Sequence, residues 1–266
     1  MPQLHVVHSK QSSTPSPVVL EINRLGKQFE SNGSGRTPVL TDVSFTARRG
    51  EMICILGRSG CGKSTLLNIL AGFMLPSSGT VRLNGRPVNR PGPDRCVVFQ
   101  DDALFPWLTV RENIAFGLKR RGLGRRQIRA EVDRFLSLVD LADFGDFLPH
   151  EISGGMKQRV SIARVLILQP EVLLMDEPFA ALDAQTREEM QNLLLTLWDT
   201  FKHTIIFVTH DVGEAVLMAD RILFFGKNPG GIRADIPIDL PRPREKDNDR
   251  YFSCYRETLA IIDRLS

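Results

Sequence analysis

The hydrophobic pattern of this chain alternates between short apolar runs and longer stretches with a helical repeat. Largely apolar runs over residues 53–56, 172–175 and 204–208 predict strands that are covered on both faces, as in a parallel sheet. Between residues 109 and 169, apolar positions instead recur at helical spacing, for example at Ile128, Val132, Phe135, Leu136 and Val139. Strands that alternate with helices indicate an α/β protein.

Strand patterns also dominate the two ends of the chain. Residues 18–22 and 39–47 predict two strands, which favours an antiparallel sheet ahead of the parallel one. Residues 221–225 and 231–238 predict a final hairpin, which a helix over about 251–265 follows. Strands of two kinds are therefore expected in one chain.

Length and composition limit the possible classes of protein. The chain has 266 residues, of which 42% are hydrophobic, enough for one large domain or two small ones. Basic and acidic residues number 34 and 31, and the resulting net charge of +3 does not indicate a nucleic-acid partner. The four cysteines lack metal-binding spacing and are expected to be free thiols in a reducing compartment. Residues 1–17 are polar, lack the apolar segment of a secretory signal and are predicted to be a disordered tail.

The stretch GRSGCGKST fits the phosphate-binding pattern G-x-x-x-x-G-K-[ST] and lies between a predicted strand and a predicted helix. Glycines let such a loop wrap closely around phosphates, and the helix directs its free N–H groups at the anion. Lys63 is expected to reach the β- and γ-phosphates, and Ser64 to bind Mg²⁺. The residues predicted to bind nucleotide here are Gly57, Arg58, Ser59, Gly60, Cys61, Gly62, Lys63, Ser64 and Thr65.

Polar residues follow three of the predicted strands, where α/β sheets place their ligands. Asp176 is expected to bind Mg²⁺, and the adjacent Glu177 to act as the general base that orients water. Gln100 could bind Mg²⁺ or hold the attacking water, and it could also be a simple loop residue. His210 could contact the γ-phosphate or be structural, and position favours the phosphate contact.

Three further features carry weaker signals. Ser153, Gly154 and Gly155 open a predicted helix, but a serine with two glycines can simply cap one. Phe29 could stack on an adenine ring, although spacing alone favours an ordinary core aromatic. A dense basic run is either a solvated helical face or a docking surface, and it comprises Arg111, Lys119, Arg120, Arg121, Arg125, Arg126, Arg129 and Arg134.

Several motifs in order resemble the ATP-binding cassette family: GRSGCGKST, Gln100, ISGGMKQR, VLLMDEP, ALD and His210. The resemblance covers roughly residues 18–238. It implies ATP and Mg²⁺ as ligands, and an α/β fold with a P-loop NTPase (RecA-like) core and an antiparallel β subdomain. A helical subdomain inserted at about 101–169 is also implied, within a cassette over 18–245 that a helix over 246–266 follows.

The resemblance also implies how the weaker signals are used. In the family, the loop matched by Ser153, Gly154 and Gly155 contacts the γ-phosphate that a second subunit binds, which implies a head-to-tail homodimer around two ATP molecules. Asp183 matches the loop that crosses between the two sites, and Phe29 matches the aromatic that stacks on adenine. Met156 stands where the family usually has glutamine.

A finer resemblance is to the ATPases of importers of nitrate, sulfonates and taurine, and the sequence segments are most similar to those of the taurine importers. The phrases RPGPDRCVVFQDDALFPW and DEPFAALDAQTREEMQNLLLTLW carry it. It implies an ATPase at the cytoplasmic face of a bacterial inner membrane that energises import through membrane permease subunits, indirectly with a periplasmic binding protein. Leu104, Phe105 and Trp107 would contact the permease, or else form helical core. Alkanesulfonate and nitrate remain alternative substrates.

Two other classes of nucleotide-binding protein fit the sequence less well. A cassette ATPase that acts on ribosomes or DNA usually has two cassettes or a long coiled-coil insertion, and neither pattern is present. A P-loop kinase or GTPase does not account for the loop at residues 153–155 or for the adjacent Asp176 and Glu177. Cys61 lies beside a predicted helix N-terminus, so its pKa is expected to be lowered and its alkylation to be blocked by MgATP.

Overall fold

The computed structural model describes residues 16–31, 35–99, 103–227 and 229–265. The strands are β1 (Val18–Ser31), β2 (Gly35–Arg48), β3 (Met52–Gly57), β4 (Ser78–Leu83), β5 (Arg86–Pro87), β6 (Arg95–Val98), β7 (Val172–Asp176), β8 (Thr204–Thr209), β9 (Arg221–Gly226) and β10 (Gly231–Pro237). The α-helices are α1 (Lys63–Ala71), α2 (Val110–Ala115), α3 (Arg125–Leu138), α4 (Gly154–Leu166), α5 (Ala184–Phe201), α6 (Val212–Met218) and α7 (Asp249–Leu265).

A six-stranded sheet in the order β10-β9-β3-β8-β7-β6 forms the centre of the molecule, and only β10 runs antiparallel to its neighbour. Both faces of this sheet are covered. Met52, Cys54 and Leu56 of β3 point into one hydrophobic cluster. Ile53 and Ile55, which alternate with them, point into the other. Because both faces are buried, the sequence of β3 is a continuous apolar run rather than an alternating one.

A second sheet of four antiparallel strands has the order β2-β1-β4-β5. Its inner residues, such as Leu20 of β1 and Phe45 of β2, share a core with Leu66 and Leu70 of α1. The prediction of an α/β fold with an antiparallel sheet beside a parallel one is therefore confirmed. Strand β1 continues to Ser31, well beyond the predicted end at residue 22, because it stays paired with β2 to that point.

Residues 103–169 are mainly helical, with α2, α3, α4 and three short 3₁₀ segments. Helix α2 begins with a capping box in which Thr109 and Glu112 bond each other's backbone N–H groups. The fully buried Asn113 side chain holds the preceding loop, because its amide donates to the carbonyls of Phe105, Leu108 and Thr109. In the described part of the chain, no helix combines the length and apolar character needed to cross a membrane.

The segment after β10 holds helix α6 in place. The buried Arg244 guanidinium donates to the carbonyls of Val216 and Ala219 at 2.7 and 2.6 Å, which completes the C-terminal end of α6. The Tyr251 hydroxyl on α7 donates to the Gly213 carbonyl at 3.0 Å. The short helix α6 is thus fixed at both ends by residues from the last part of the chain.

Candidate functional site

The carboxyl ends of three parallel strands meet at one edge of the large sheet. Leu56 of β3 is paired with Thr209 of β8, and Asp176 of β7 is paired with Val208. The phosphate loop, the acidic pair and His210 therefore leave the sheet at the same level. This is the edge at which open α/β sheets bind their ligands.

The phosphate loop joins β3 to α1 through a backbone that needs glycine. Gly60 and Gly62 have positive φ angles of 78° and 98°, and a Cβ atom on Gly62 would lie 2.8 Å from Leu40 Cδ2. The Lys63 ammonium, only 5% exposed, donates to the Gly57 carbonyl at 2.7 Å. The loop thus holds a buried cation at the start of a helix, where anions are favoured.

Ser64 directly follows Lys63 on α1, and Asp176 ends β7. Burial raises the pKa of Asp176, and the hydrogen bond from the Ser64 hydroxyl opposes that rise. A hydroxyl and a carboxylate are the hard oxygen ligands that Mg²⁺ prefers, with phosphate oxygens and water completing the shell. The two residues therefore fit a magnesium ion that arrives with a nucleotide. Gln100, the third predicted ligand, lies outside the described residues.

Glu177 lies close to both His210 and Lys63 at this edge. Its Oε2 lies 3.1 Å from Nδ1 of His210, and its Oε1 lies 3.8 Å from Nζ of Lys63. Its backbone has a φ of 45°, uncommon outside glycine, while its N–H donates to the Val208 carbonyl. The Glu177 side chain is 24% exposed, so water can reach a carboxylate that is otherwise fixed. An arrangement of this kind can accept a proton from a water molecule.

The environment of the Cys61 thiol differs from the one expected from the sequence. It is 2% exposed and packs beneath Gly57, in the hydrophobic cluster shared with α1. Burial raises the pKa of its thiol, and nearby Lys63 opposes this only in part. The expectation of a lowered pKa is therefore wrong, because loss of solvent outweighs the helix N-terminus.

Ser153 and Asp183 each cap a helix, and the two helices start side by side. Ser153 Oγ accepts the Met156 N–H at 3.3 Å, and Asp183 Oδ1 accepts the Thr186 N–H at 3.0 Å. A Cβ atom on Gly155 would lie 2.7 Å from Thr186 Cγ2, so the two loops are neighbours. Within the described residues, no hydrogen bond or ion pair joins either of them to the phosphate loop of the same chain.

Two sets of aromatic residues lie on the surface. Phe29 of β1 is 40% exposed, with Lys27 Nζ 5.2 Å from its ring centre, so the core alternative is wrong for this residue. Trp107 is 72% exposed and contacts Phe105, whose ring also packs on Phe116. We call Phe105, Trp107 and Phe116 the aromatic patch. Leu104, by contrast, packs against the core.

Helix α6 carries a functional candidate that sequence reasoning missed. Glu214 is 7% exposed, its Oε1 accepts a hydrogen bond from Gln191 Nε2 at 3.0 Å, and burial raises the pKa of its carboxylate. Together with Glu177 and His210 it lines a cavity of about 50 Å³. The sequence feature that could have pointed to Glu214 was its place three residues after Asp211, at the N-terminus of α6.

An open cleft of about 510 Å³ lies on another side of Glu177 and His210. It is also lined by residues of the phosphate loop and by Ile262 and Asp263 of α7.

Comparisons with known proteins agree with this geometry. The family model described as ABC transporter matches residues 40–180. The nitrate import ATP-binding protein NrtD of Synechococcus elongatus is 44% identical, over 95% of this chain and 94% of that protein. The taurine import ATP-binding protein TauB of Jannaschia sp. is 43% identical, over 91% and 93%.

Solved structures lead to the same family. The ATP-binding cassette MJ0796, in a dimeric post-hydrolysis state bound to ADP and Pi, superimposes with a TM-score of 0.73 at 29% identity. The match covers 84% of this chain and 100% of that one. The chain therefore belongs to the ABC transporter family, as one of its ATP-hydrolysing members.

Proposed function

We propose that this protein is the ATP-hydrolysing subunit of an importer for a small anionic or zwitterionic solute of the nitrate or sulfonate type. The observation that carries the proposal is similarity over almost the whole chain to a nitrate import and a taurine import ATP-binding protein, at 44% and 43% identity. In this assignment the cassette spans residues 18–245, with residues 101–169 as its helical subdomain and residues 246–266 as an added helix.

Residues of the phosphate loop bind the triphosphate. Lys63 is buried, and its ammonium can exchange the Gly57 carbonyl for β- and γ-phosphate oxygens. The backbone N–H groups of residues 57–65 surround the phosphates, and the exposed ring of Phe29 stacks on the adenine. ATP is thus held at both ends by one chain.

Ser64 and Asp176 would hold the magnesium ion, with Gln100 as a third protein ligand. When bound, the ion supplies positive charge that neutralises the phosphate oxygens. Burial raises the pKa of Asp176, and a cation beside it would favour the ionised carboxylate. The chain's own contribution would be the Ser64 hydroxyl at the start of α1 and the Asp176 carboxylate at the end of β7.

Glu177 orients water and receives its proton while the γ-phosphoryl group is transferred. The contact of 3.1 Å with His210 keeps the carboxylate at the strand end, and the imidazole then stabilises charge on the γ-phosphate. Lys63, 3.8 Å from the carboxylate, stabilises the same developing charge. Hydrolysis thus depends on groups from three strand ends.

Two copies of the chain complete the two sites. Ser153 caps the helix that Gly154 and Gly155 begin, and among the described residues no hydrogen bond or ion pair joins it to the phosphate loop of its own chain. This supports a role of its N–H groups on the γ-phosphate of a second copy. Asp183, beside them, would lie between the two sites. The dimeric state of the ATP-binding cassette MJ0796 supports this arrangement.

The aromatic patch is the proposed contact with the membrane permease. Exposed aromatic residues that lie together are typical of protein interfaces, and Trp107 is 72% exposed. Docking there places the subunit at the cytoplasmic face of the inner membrane. A periplasmic binding protein would act only indirectly, through the permease.

The transported solute is chosen by the partners, so a test must include them. Taurine, another sulfonate and nitrate are the candidates, since relatives of the nitrate and taurine kinds are about equally similar. A permease and a binding protein that assemble with this chain, reconstituted with it in vesicles, should give ATP hydrolysis that one of these solutes stimulates. Hydrolysis that no solute changes, with no co-purifying permease, would contradict the importer assignment.

A further inference from the structure

A groove on the helical part of the chain has no role in the steps above. Residues of α2, α3 and the short 3₁₀ segment Leu118–Arg120 line it, and its volume is about 720 Å³. Its apolar lining residues are Ala115 and Val132, which are buried, and Ile128, which is half-buried. Four basic residues also line what we call the basic groove, and they are Arg111, Lys119, Arg125 and Arg129.

Two of these four basic side chains have acidic partners within the chain. Arg111 forms an ion pair with Asp133, and its Nε lies 3.5 Å from Asp146 Oδ1. Arg129 Nε lies 3.9 Å from Asp133 Oδ2, in an exposed pair of little energetic weight. These two arginines and two carboxylates balance each other in charge.

The other two basic side chains, Lys119 and Arg125, are exposed and are not balanced in this way. Among the described residues, neither side chain forms an ion pair or a hydrogen bond. Glu112 is the remaining acidic residue of the lining, and its carboxylate accepts the Thr109 N–H at 3.0 Å. The basic groove therefore presents two cations to a partner, beside an apolar surface.

Arg125 lies where a basic residue is unfavourable for the helix that carries it. It is the first residue of α3, and the first turn of α3 contains no acidic residue. A helix N-terminus has a partial positive charge, so cations are disfavoured there. Arg129 follows four residues later, and like charges at that spacing repel each other. Charges that oppose the local fold indicate a use outside it.

The basic groove adjoins the aromatic patch. Ala115 lines the groove, and the next residue is Phe116, which ends α2 and packs on Phe105. Phe116 is itself 46% exposed. One short helix thus carries part of both surfaces, and a partner that covers the aromatic patch can reach the groove.

We propose that the basic groove binds an acidic segment of the membrane permease, next to the aromatic patch. Carboxylates of that segment pair with Lys119 and Arg125, and an apolar side chain covers Ile128. A layer of anionic lipid headgroups fits less well, because it would leave the apolar lining uncovered and would face Glu112 and Asp146. The inference rests on the proposed function, because it takes the permease as the partner.

The double variant Lys119→Glu/Arg125→Glu tests the groove. We expect the amount of permease that co-purifies at low salt to fall by at least about tenfold relative to the wild type. ATP hydrolysis by the isolated subunit should stay within about twofold, because neither residue belongs to the ATP site. The control Arg250→Glu/Arg256→Glu makes the same change in charge at exposed positions of α7 and should retain the permease.

Stability and salt dependence separate a lost contact from a folding defect. Arg125→Glu alone should raise the melting temperature by about 1–2 °C, because an acidic residue suits the first turn of α3. The same variant should bind the permease less well than the wild type at about 50 mM KCl and nearly as well at about 500 mM, where salt screens the pair. A permease contact with the same salt dependence in both proteins would overturn the inference.

Failure of the inference and failure of the proposed function give different results. If the wild type retains no permease, the proposed function fails. If Trp107→Ala loses the permease while Lys119→Glu/Arg125→Glu retains it, the importer assignment stands and the inference is overturned. Sedimentation with vesicles of phosphatidylglycerol tests the membrane alternative. Loss of vesicle binding by the double variant, with its permease retained, would also overturn the inference.

Discussion

His210 Nδ1 lies 3.1 Å from Glu177 Oε2, and the two residues directly follow neighbouring parallel strands. The sheet sets their distance, because Asp176 is paired with Val208. Glu177 is the next residue after Asp176, and His210 is the second residue after Val208. The same register brings Lys63 within 3.8 Å of Glu177. Base, imidazole and ammonium are thus assembled by strand pairing rather than by loop flexibility.

Glu177→Gln should abolish turnover while preserving ATP binding. The amide keeps the size of the side chain but cannot accept a proton, so we expect hydrolysis to fall by about 10²–10⁴-fold. Because ATP then persists, the variant should accumulate as a dimer in MgATP, measured by gel filtration beside an ATPase assay. Glu171→Gln, which only breaks an exposed ion pair with Arg49, is the control and should behave as the wild type. Normal hydrolysis by Glu177→Gln would show that another group is the base.

Trp107→Ala should uncouple the subunit from its permease without changing its own chemistry. The indole is 72% exposed, so its loss should change stability by less than about 0.5 kcal/mol. We expect the isolated subunit to hydrolyse ATP normally, whereas co-purification of the permease falls by at least about tenfold. Phe252→Ala, on α7 and 55% exposed, is the matched control. Equal retention of the permease by both variants would place the contact elsewhere.

Cys61 should react slowly with iodoacetamide in the folded protein. It is 2% exposed, and burial raises the pKa of its thiol, so little thiolate is present at neutral pH. Below that pKa, the thiolate fraction and the rate should rise about tenfold for each unit of pH. Peptide-resolved mass spectrometry in buffer and in urea measures the difference, which we expect to exceed about 100-fold at pH 7. Rapid labelling of the folded protein at pH 7 would contradict the buried environment.

Arg244→Met should destabilise the fold. The Arg244 guanidinium donates to the carbonyls of Val216, Ala219 and Leu240 at 2.6–2.9 Å, and methionine leaves these buried acceptors unpaired. We expect a loss of about 3 kcal/mol in the free energy of unfolding, measured with urea.

Two further variants serve as controls for the stability loss expected of Arg244→Met. Arg244→Lys should recover little of the lost stability, because an ammonium group cannot reproduce the planar set of N–H donors of a guanidinium. Arg256→Met, at an exposed position of α7, should change stability by less than about 0.5 kcal/mol. If Arg244→Met and Arg256→Met unfold at the same urea concentration, the contacts of Arg244 do not stabilise α6.

Much of the site could be predicted because its chemistry is local in sequence. The phosphate loop, Asp176 and Glu177 each directly follow a run of buried apolar residues, and parallel strands place such positions together. The α/β fold and both kinds of sheet followed from the same runs. Residue roles beyond this placement remain predictions, as do the domain boundaries.

What could not be predicted depends on contacts between distant parts of the chain. The burial of Cys61 comes from β3, α1 and Phe225 of β9 packing together, whereas local reasoning saw only a helix N-terminus. The burial of Glu214 requires α6 to pack beside α5, where Gln191 donates to its carboxylate. A single sequence shows a glutamate in a helix but not the donors around it.

The contacts of α7 have a practical consequence for anyone who engineers this protein. Ile262 and Asp263 share an open cleft of about 510 Å³ with Arg58 and Ser59 of the phosphate loop. An affinity tag or fluorescent protein fused after residue 266 would begin only a few residues from that cleft and would compete with nucleotide or with a second copy.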